Sequence, residues 1–217
     1  MQFNELYDQL KSIHGELGKW WPGTTEEIIV SAVLTQNTNW KNVQKALENI
    51  RNNCEEDILT CLTKKSVQEL SALIKPVGFF NIKAERLKNL LKWIEKYDLD
   101  IQAIKQLGTE RVREELLSIK GIGKETADSI ILYALELPIF VVDAYTKRIL
   151  ERILNIKFKE YDEYRLLFES FYPKNVPLYQ EFHGLIVEHA KAFCKTKPRC
   201  EMCPIEQCGY KTRRETK

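Results

Sequence analysis

Along most of the 217-residue chain, apolar side chains recur with the period of an α-helix. Val43, Ala46, Leu47 and Ile50 fall at i, i+3, i+4 and i+7, as do Leu87, Leu90, Leu91 and Ile94. Ala127, Ile130, Ile131 and Ala134 repeat the spacing, and Phe182, Ile186 and Ala190 share one further face. This spacing puts apolar groups on one side of a helix and predicts that side to be buried. Thr24 with Glu27, and Ser66 with Glu69, have the three-residue offset of a capping box, so each predicts a helix start. Pro22-Gly23, Pro76 to Gly78, and Pro173 interrupt the helical runs. No stretch alternates as a half-buried strand does. Residues 139–143, Ile-Phe-Val-Val-Asp, are β-prone but short; after Pro138 they read as a connection entering a helix at Asp143. The expectation is an all-α chain of about ten helices.

Within that pattern, residues 113–135 read as helix, tight glycine turn, helix. Gly121 and Gly123 bracket Ile122, and Lys124 opens the second helix. A helix N-terminus exposes unpaired N–H groups and the positive end of the dipole. Glycines there let the backbone approach an anion closely. Such a hairpin suits a DNA phosphate, which positions a duplex without reading its sequence. An ordinary corner between helices is the plainer alternative.

Nineteen residues after Lys124 stands Asp143, in a Val-Val-Asp segment. By itself it is an ordinary helix N-cap. In this order, glycine hairpin, apolar helix and Val-Val-Asp resemble the endonuclease III branch of the helix-hairpin-helix DNA glycosylases. The resemblance extends over nearly the whole chain. Val-Leu-Thr-Gln-Asn-Thr at 33–38 resembles the family segment whose glutamine fills the gap left by a flipped base, here Gln36. Residues 76–87, which contain Val77, Gly78, Lys83 and Ala84, resemble another family segment. The resemblance implies DNA contacts at Gln36, Gly121, Gly123, Lys124 and Thr126, and a catalytic carboxylate at Asp143. It also implies two domains. Residues 23–138 would form a helical barrel carrying the hairpin; residues 1–22 would join 139–217 in a second domain, with the active site in a cleft between them.

Four cysteines, Cys194, Cys200, Cys203 and Cys208, are spaced C-x5-C-x2-C-x4-C. Four thiolates in one loop suit a cubane cluster or a tetrahedral metal. The two close pairs with a long spacer that are usual in zinc ribbons are absent. Endonuclease III relatives carry a [4Fe–4S] cluster here, with slightly longer first and third spacings, so the resemblance implies that cofactor at residues 194–208. Cys54 and Cys61 read as ordinary helix or loop thiols.

Bifunctional members of the family carry a lysine where this chain has Glu125, and that amine attacks the sugar to form a Schiff base. A carboxylate cannot do so, which implies a monofunctional enzyme that removes the base through water. Asp143 would stabilise positive charge on the sugar and orient the water. The target base must first leave the stack. Trp20, Trp21, Pro22 and Trp40, taken with the hairpin and the segment Phe182 to Glu188, resemble a narrower group, the bacterial endonuclease III-like 3-methyladenine DNA glycosylases. There the matching residues line the base pocket, although core packing is the ordinary role of any single tryptophan. Known members of that group can lack the cysteines present here. A cationic base such as 3-methyladenine is drawn to aromatic faces. The implied substrate is an alkylated purine. An oxidised pyrimidine or a mismatched thymine or uracil is the alternative on the same scaffold, and a non-catalytic iron–sulfur DNA-binding protein is the alternative of another class.

Charge adds one feature. Residues 191–217 hold eight basic and three acidic side chains, a net of +5 against +2 for the whole chain, so the remainder carries −3. A basic tail fits either solvent or an anionic partner such as DNA. No apolar run is long enough to span a membrane, and the acidic, amphipathic N-terminus does not read as a secretory signal. The expectation is a monomer acting on damaged double-stranded DNA in a bacterial or archaeal cytoplasm, with reduced thiols.

Overall fold

The structure is a computed structural model that describes the backbone of residues 1–215 and the side chains of residues 1–212. Arg213, Arg214 and Lys217 of the basic tail therefore lie outside the described side chains. Among the described residues there is no strand, and thirteen α-helices follow one another. They are more numerous than the periodicity predicts because α4 (Ile58–Thr63), α7 (Ile101–Gln106) and α9 (Lys124–Ser129) are too short to display a period. The helices form two compact units, residues 22–137 and residues 1–21 with the chain from 138 onward.

In the unit of residues 22–137, α2 (Thr25–Leu34) is buried along its whole length from Glu27 to Leu34. A helix apolar all round sits inside a core. It packs against α3 (Trp40–Asn52), α6 (Phe80–Glu95) and the π-helical turn Ile130–Ala134 that continues α9. Every position of the three periodic runs in this unit is buried. Both capping boxes form, at Thr24–Glu27 and at Ser66–Glu69, the latter opening α5 (Val67–Leu73). Glu27 also binds Arg51 of α3 at 2.6 Å, so the start of α2 is tied to its neighbour.

One expectation is corrected here. Cys54 and Cys61 are not free thiols but a disulfide, with Cα atoms 5.7 Å apart. It closes the loop between α3 and α4. A spacing of seven residues carries no pairing signal, and the expected reducing compartment argued against a bond.

The other unit is built on α12 (Val176–Ala192), with α1 (Leu6–His14) and α10 (Ala144–Ile153) packed against it. Its core is aromatic. Phe140 stacks on Phe168 of α11 (Tyr161–Phe171) with centroids 3.7 Å apart, and Phe3, Tyr179 and Phe182 meet this pair edge-on. Glu181 of α12 accepts hydrogen bonds from the Tyr7 hydroxyl and the Leu17 N–H and pairs with Lys11. These contacts bind the N-terminal segment to the C-terminal helices.

Candidate active site and cysteine loop

The hairpin forms from α8 (Thr109–Ser118), the turn 119–123 and α9. Its two glycines differ in kind. Gly121 has φ +97°, and a Cβ there would lie 2.3 Å from Cγ of Arg86. Gly123 is extended, at φ −96° and ψ 175°, with open space where a Cβ would be. Arg113 locks the two helices together through the buried Asp128, Nε to Oδ1 at 2.7 Å. At the start of α9, Lys124 is half-buried, Glu125 is exposed and Thr126 is buried.

Gln36 is joined to this hairpin. Its Nε2 donates to the Gly121 carbonyl at 3.3 Å and to the Thr126 hydroxyl at 3.0 Å, and its Oε1 accepts from Arg86 at 2.5 Å. These bonds settle the orientation of the amide and hold the side chain over the turn. Thr126, expected at DNA, thus faces Gln36. One turn before Arg86 on α6, the ammonium of Lys83 is buried at 2% exposure. It donates to the carbonyls of Leu34, at 3.0 Å, and Val77, at 3.1 Å. Burial, with Arg86 nearby, pulls Lys83 down to about 8. Two residues after Val77, Phe79 is 72% exposed and adopts the left-handed conformation at φ 48°. An exposed phenylalanine in a backbone conformation unfavourable to it is the kind of feature that marks function.

In the other unit, Asp143 ends the extended connection 138–143 and caps α10. Its Oδ1 accepts from the Thr146 N–H at 2.7 Å and from the Thr146 hydroxyl at 3.0 Å. Its Oδ2 stands 3.6 Å from Nε2 of the buried His183 on α12. Burial pushes this carboxyl up, but His183 and the Thr146 donors outweigh it and hold Asp143 below the ordinary aspartate range. It is ionised at neutral pH. The ring of His183 meets Trp20 edge-on, with centroids 5.7 Å apart.

Trp20 and Trp21 lie in the irregular segment after α1, with rings edge to face at 6.2 Å. Trp21 is buried at 8% exposure, whereas Trp20 is half-buried. Trp20 rests against Gly184, where a Cβ would come within 2.5 Å of it, and its Nε1 donates to Glu188 at 3.0 Å. Lys191 Nζ stands 4.9 Å from its ring centroid, so one face of Trp20 already holds a cation. Pro22, exposed, and Trp40, half-buried at the first position of α3, belong to the residue 22–137 unit.

Cys194, Cys200, Cys203 and Cys208 line a single pocket with His189, Arg152 and Lys211. The loop is held by cations. Arg148 donates to the Cys194 carbonyl at 2.8 Å, Arg152 to those of Lys195 and Thr196, and Lys211 to that of Cys203 at 2.8 Å. Nε2 of His189 lies 3.5 Å from the Cys203 sulfur. Burial raises the Cys194 and Cys203 thiols, while Arg152, Arg148 and Lys211 pull the other way. Among the described residues no three acidic, cysteine or histidine side chains stand close enough to hold one metal ion. Four sulfurs around one pocket, with cations beside them, suit a cluster, which holds its thiolates farther apart than one ion does. Lys195, Lys197 and Arg199 are exposed on the same loop.

A helical chain with a glycine hairpin and a capping aspartate after it defines a helix-hairpin-helix fold of the endonuclease III type. The family model described as HhH-GPD superfamily base excision DNA repair protein matches residues 30–174. The chain belongs to this superfamily and is a DNA glycosylase. It is 48% identical over 210 residues to MJ1434 of Methanocaldococcus jannaschii, to which DNA repair glycosylase activity is ascribed; the match covers 94% of this chain and 93% of that one. It is 36% identical to the 3-methyladenine DNA glycosylase MagIII of H. pylori, solved bound to 1,N6-ethenoadenine, with a TM-score of 0.78 over 88% of this chain and 98% of that one. The fold is also that of endonuclease III in a trapped covalent DNA complex, with a TM-score of 0.81 at 19% identity over 99% and 100% of the two chains. No helix among the described residues is long and apolar enough to cross a membrane.

Sequence reasoning placed no role on His183, Lys83, Arg86 or Phe79. Three of the four lie in the segment 76–87 and His183 in Phe182 to Glu188, so the segments were visible in the sequence while the individual side chains were not.

Proposed function

We propose that this enzyme removes alkylated purines, 3-methyladenine foremost, from duplex DNA by hydrolysis and without efficient strand cleavage. The observation that carries this reading is the ionised, capped Asp143; the sequence resemblance adds Glu125 where the lyase lysine of bifunctional relatives would stand. The Asp143 carboxylate has one oxygen committed to Thr146; the other faces His183 and serves the cationic sugar and the attacking water. A positively charged base is a good leaving group and needs no strong general acid. Glu125, exposed in the first turn of α9, supplies no nucleophilic amine. The likeness to MagIII supports a modified purine as the substrate. Trp20, Trp21, Pro22 and Trp40 are each base-pocket candidates on the sequence resemblance; because Lys191 covers one face of Trp20, a cationic base there would use the other face or the ring of Trp21.

DNA is gripped at Gly121, Gly123 and Lys124. Gln36 fills the space of the extruded base, and Phe79 wedges the stack, as exposed apolar side chains do in kinked duplexes. Cys194, Cys200, Cys203 and Cys208 hold a [4Fe–4S] cluster, which fixes the loop and its basic side chains for phosphate contact. The enzyme acts as a monomer.

The test is base release from methylated duplex DNA, with freed bases identified by chromatography. Free 3-methyladenine, absent with Asp143→Asn and without strand breaks until alkali is added, is expected. Intact alkylated DNA alongside release of oxidised pyrimidine, thymine or uracil would overturn the substrate. Tight binding of damaged DNA with no release of any base would overturn the catalytic reading.

A further inference from the structure

Among the described residues Lys83 is the largest charged side chain almost wholly withdrawn from solvent, and the chemistry at Asp143 makes no use of it. A buried ammonium is costly unless its hydrogen bonds repay the loss of water. Its two acceptors are specific. Leu34 is the last residue of α2, where a cation meets the negative end of the helix dipole. Val77 is the last residue of the 3-10 turn Lys75–Val77. Gln36 lies two residues beyond the first acceptor, and Phe79 two residues beyond the second. The backbone N–H of Lys83 also donates to the Phe79 carbonyl at 3.0 Å. One turn further along α6, Arg86 binds the Gln36 amide. A single helix therefore holds both segments at two points each or through adjacent turns.

We infer that Lys83 is a positioning residue for DNA engagement: its buried amine joins the Gln36 segment to the Phe79 segment, so that the gap filler and the wedge enter the duplex as one unit. The inference rests on the roles given above to Gln36 and Phe79. It adds the requirement that they act together, at a spacing fixed from inside the protein. A lysine that merely supports the core would affect both binding modes and all variants alike.

The experiment measures binding to a duplex containing a tetrahydrofuran abasic analogue, with 2-aminopurine beside it as a fluorescent report on the stack. An unmodified duplex of the same sequence is the reference. This readout needs no base release and no knowledge of the substrate, so failure of the alkylpurine reading leaves it intact. Lys83→Met, shown to be folded by circular dichroism, is expected to lose roughly tenfold in preference for the gap and to keep its affinity for unmodified DNA. Combined with Gln36→Ala, it is expected to lose no more than the weaker of the two single variants, because both break the same unit. Where Lys83→Met does not fold, Lys83→Gln, which keeps donors for one carbonyl, is read by the same criteria. An unchanged preference for the gap, equal losses on both duplexes, or losses that multiply in the double variant would overturn the inference.

Discussion

Asp143 and His183 approach within 3.6 Å, Oδ2 to Nε2, while the other oxygen of Asp143 is engaged by Thr146. The same carboxylate thus starts a helix and faces a buried imidazole. Asparagine caps a helix about as well as aspartate, so Asp143→Asn is expected to change stability by less than about 0.5 kcal/mol. It removes the charge, and base release should fall by about a hundredfold to a thousandfold or more. Thermal melts and single-turnover release, measured on the same preparation, check both halves. His183→Leu takes away a neighbour that lowers the Asp143 pKa, so the acid limb of the release rate should move to higher pH.

In the proposed function Glu125 decides the fate of the sugar. Borohydride added during turnover should trap no covalent adduct with the natural chain. Glu125→Lys should yield one, since a lysine at this position can form the imine. An adduct from the natural chain would show that another amine reaches the sugar.

Lys83 makes stability depend on pH in an unusual direction. Its pKa is about 8 in the folded chain and 10.5 in the unfolded one, so between these values the unfolded chain binds more protons. Stability from this group therefore rises with pH across that window and is lowest below pH 8. Denaturant melts at pH 7.5 and 10 should show this gain for the natural chain relative to Lys83→Met, which has no titrating group there.

The disulfide between Cys54 and Cys61 closes a short loop, and loop-closure entropy assigns it about 2.5 kcal/mol. Replacing both cysteines with alanine should lower the melting temperature by roughly 5–8 °C. Base release at moderate temperature should be unaffected, because neither residue belongs to the proposed site. Reductant applied to the natural chain should reproduce the shift.

These properties were unevenly visible in the sequence. Helices with a long apolar period, such as Leu87 to Ile94, were legible because the period repeats. The capping boxes were legible because both partners lie within one turn. The pairing of Lys83 with Leu34 spans 49 positions, and that of Arg86 with Gln36 spans 50. No local pattern encodes such contacts. The buried helix α2 hid itself differently, being apolar on every side and so without a distinct face.

The two hairpin glycines bear unequal burdens. At 121 the backbone twist and the Arg86 side chain both forbid a Cβ, so a substitution there is a defect of folding. At 123 no neighbouring atom stands in the way, and an alanine would cost the resting protein only the modest difference between glycine and alanine as the cap of α9. In the proposed function, the open space at 123 is where the backbone meets a DNA phosphate. On that reading, two glycines of one three-residue motif serve different moments: the one at 121 the whole life of the folded chain, the one at 123 only its encounters with DNA.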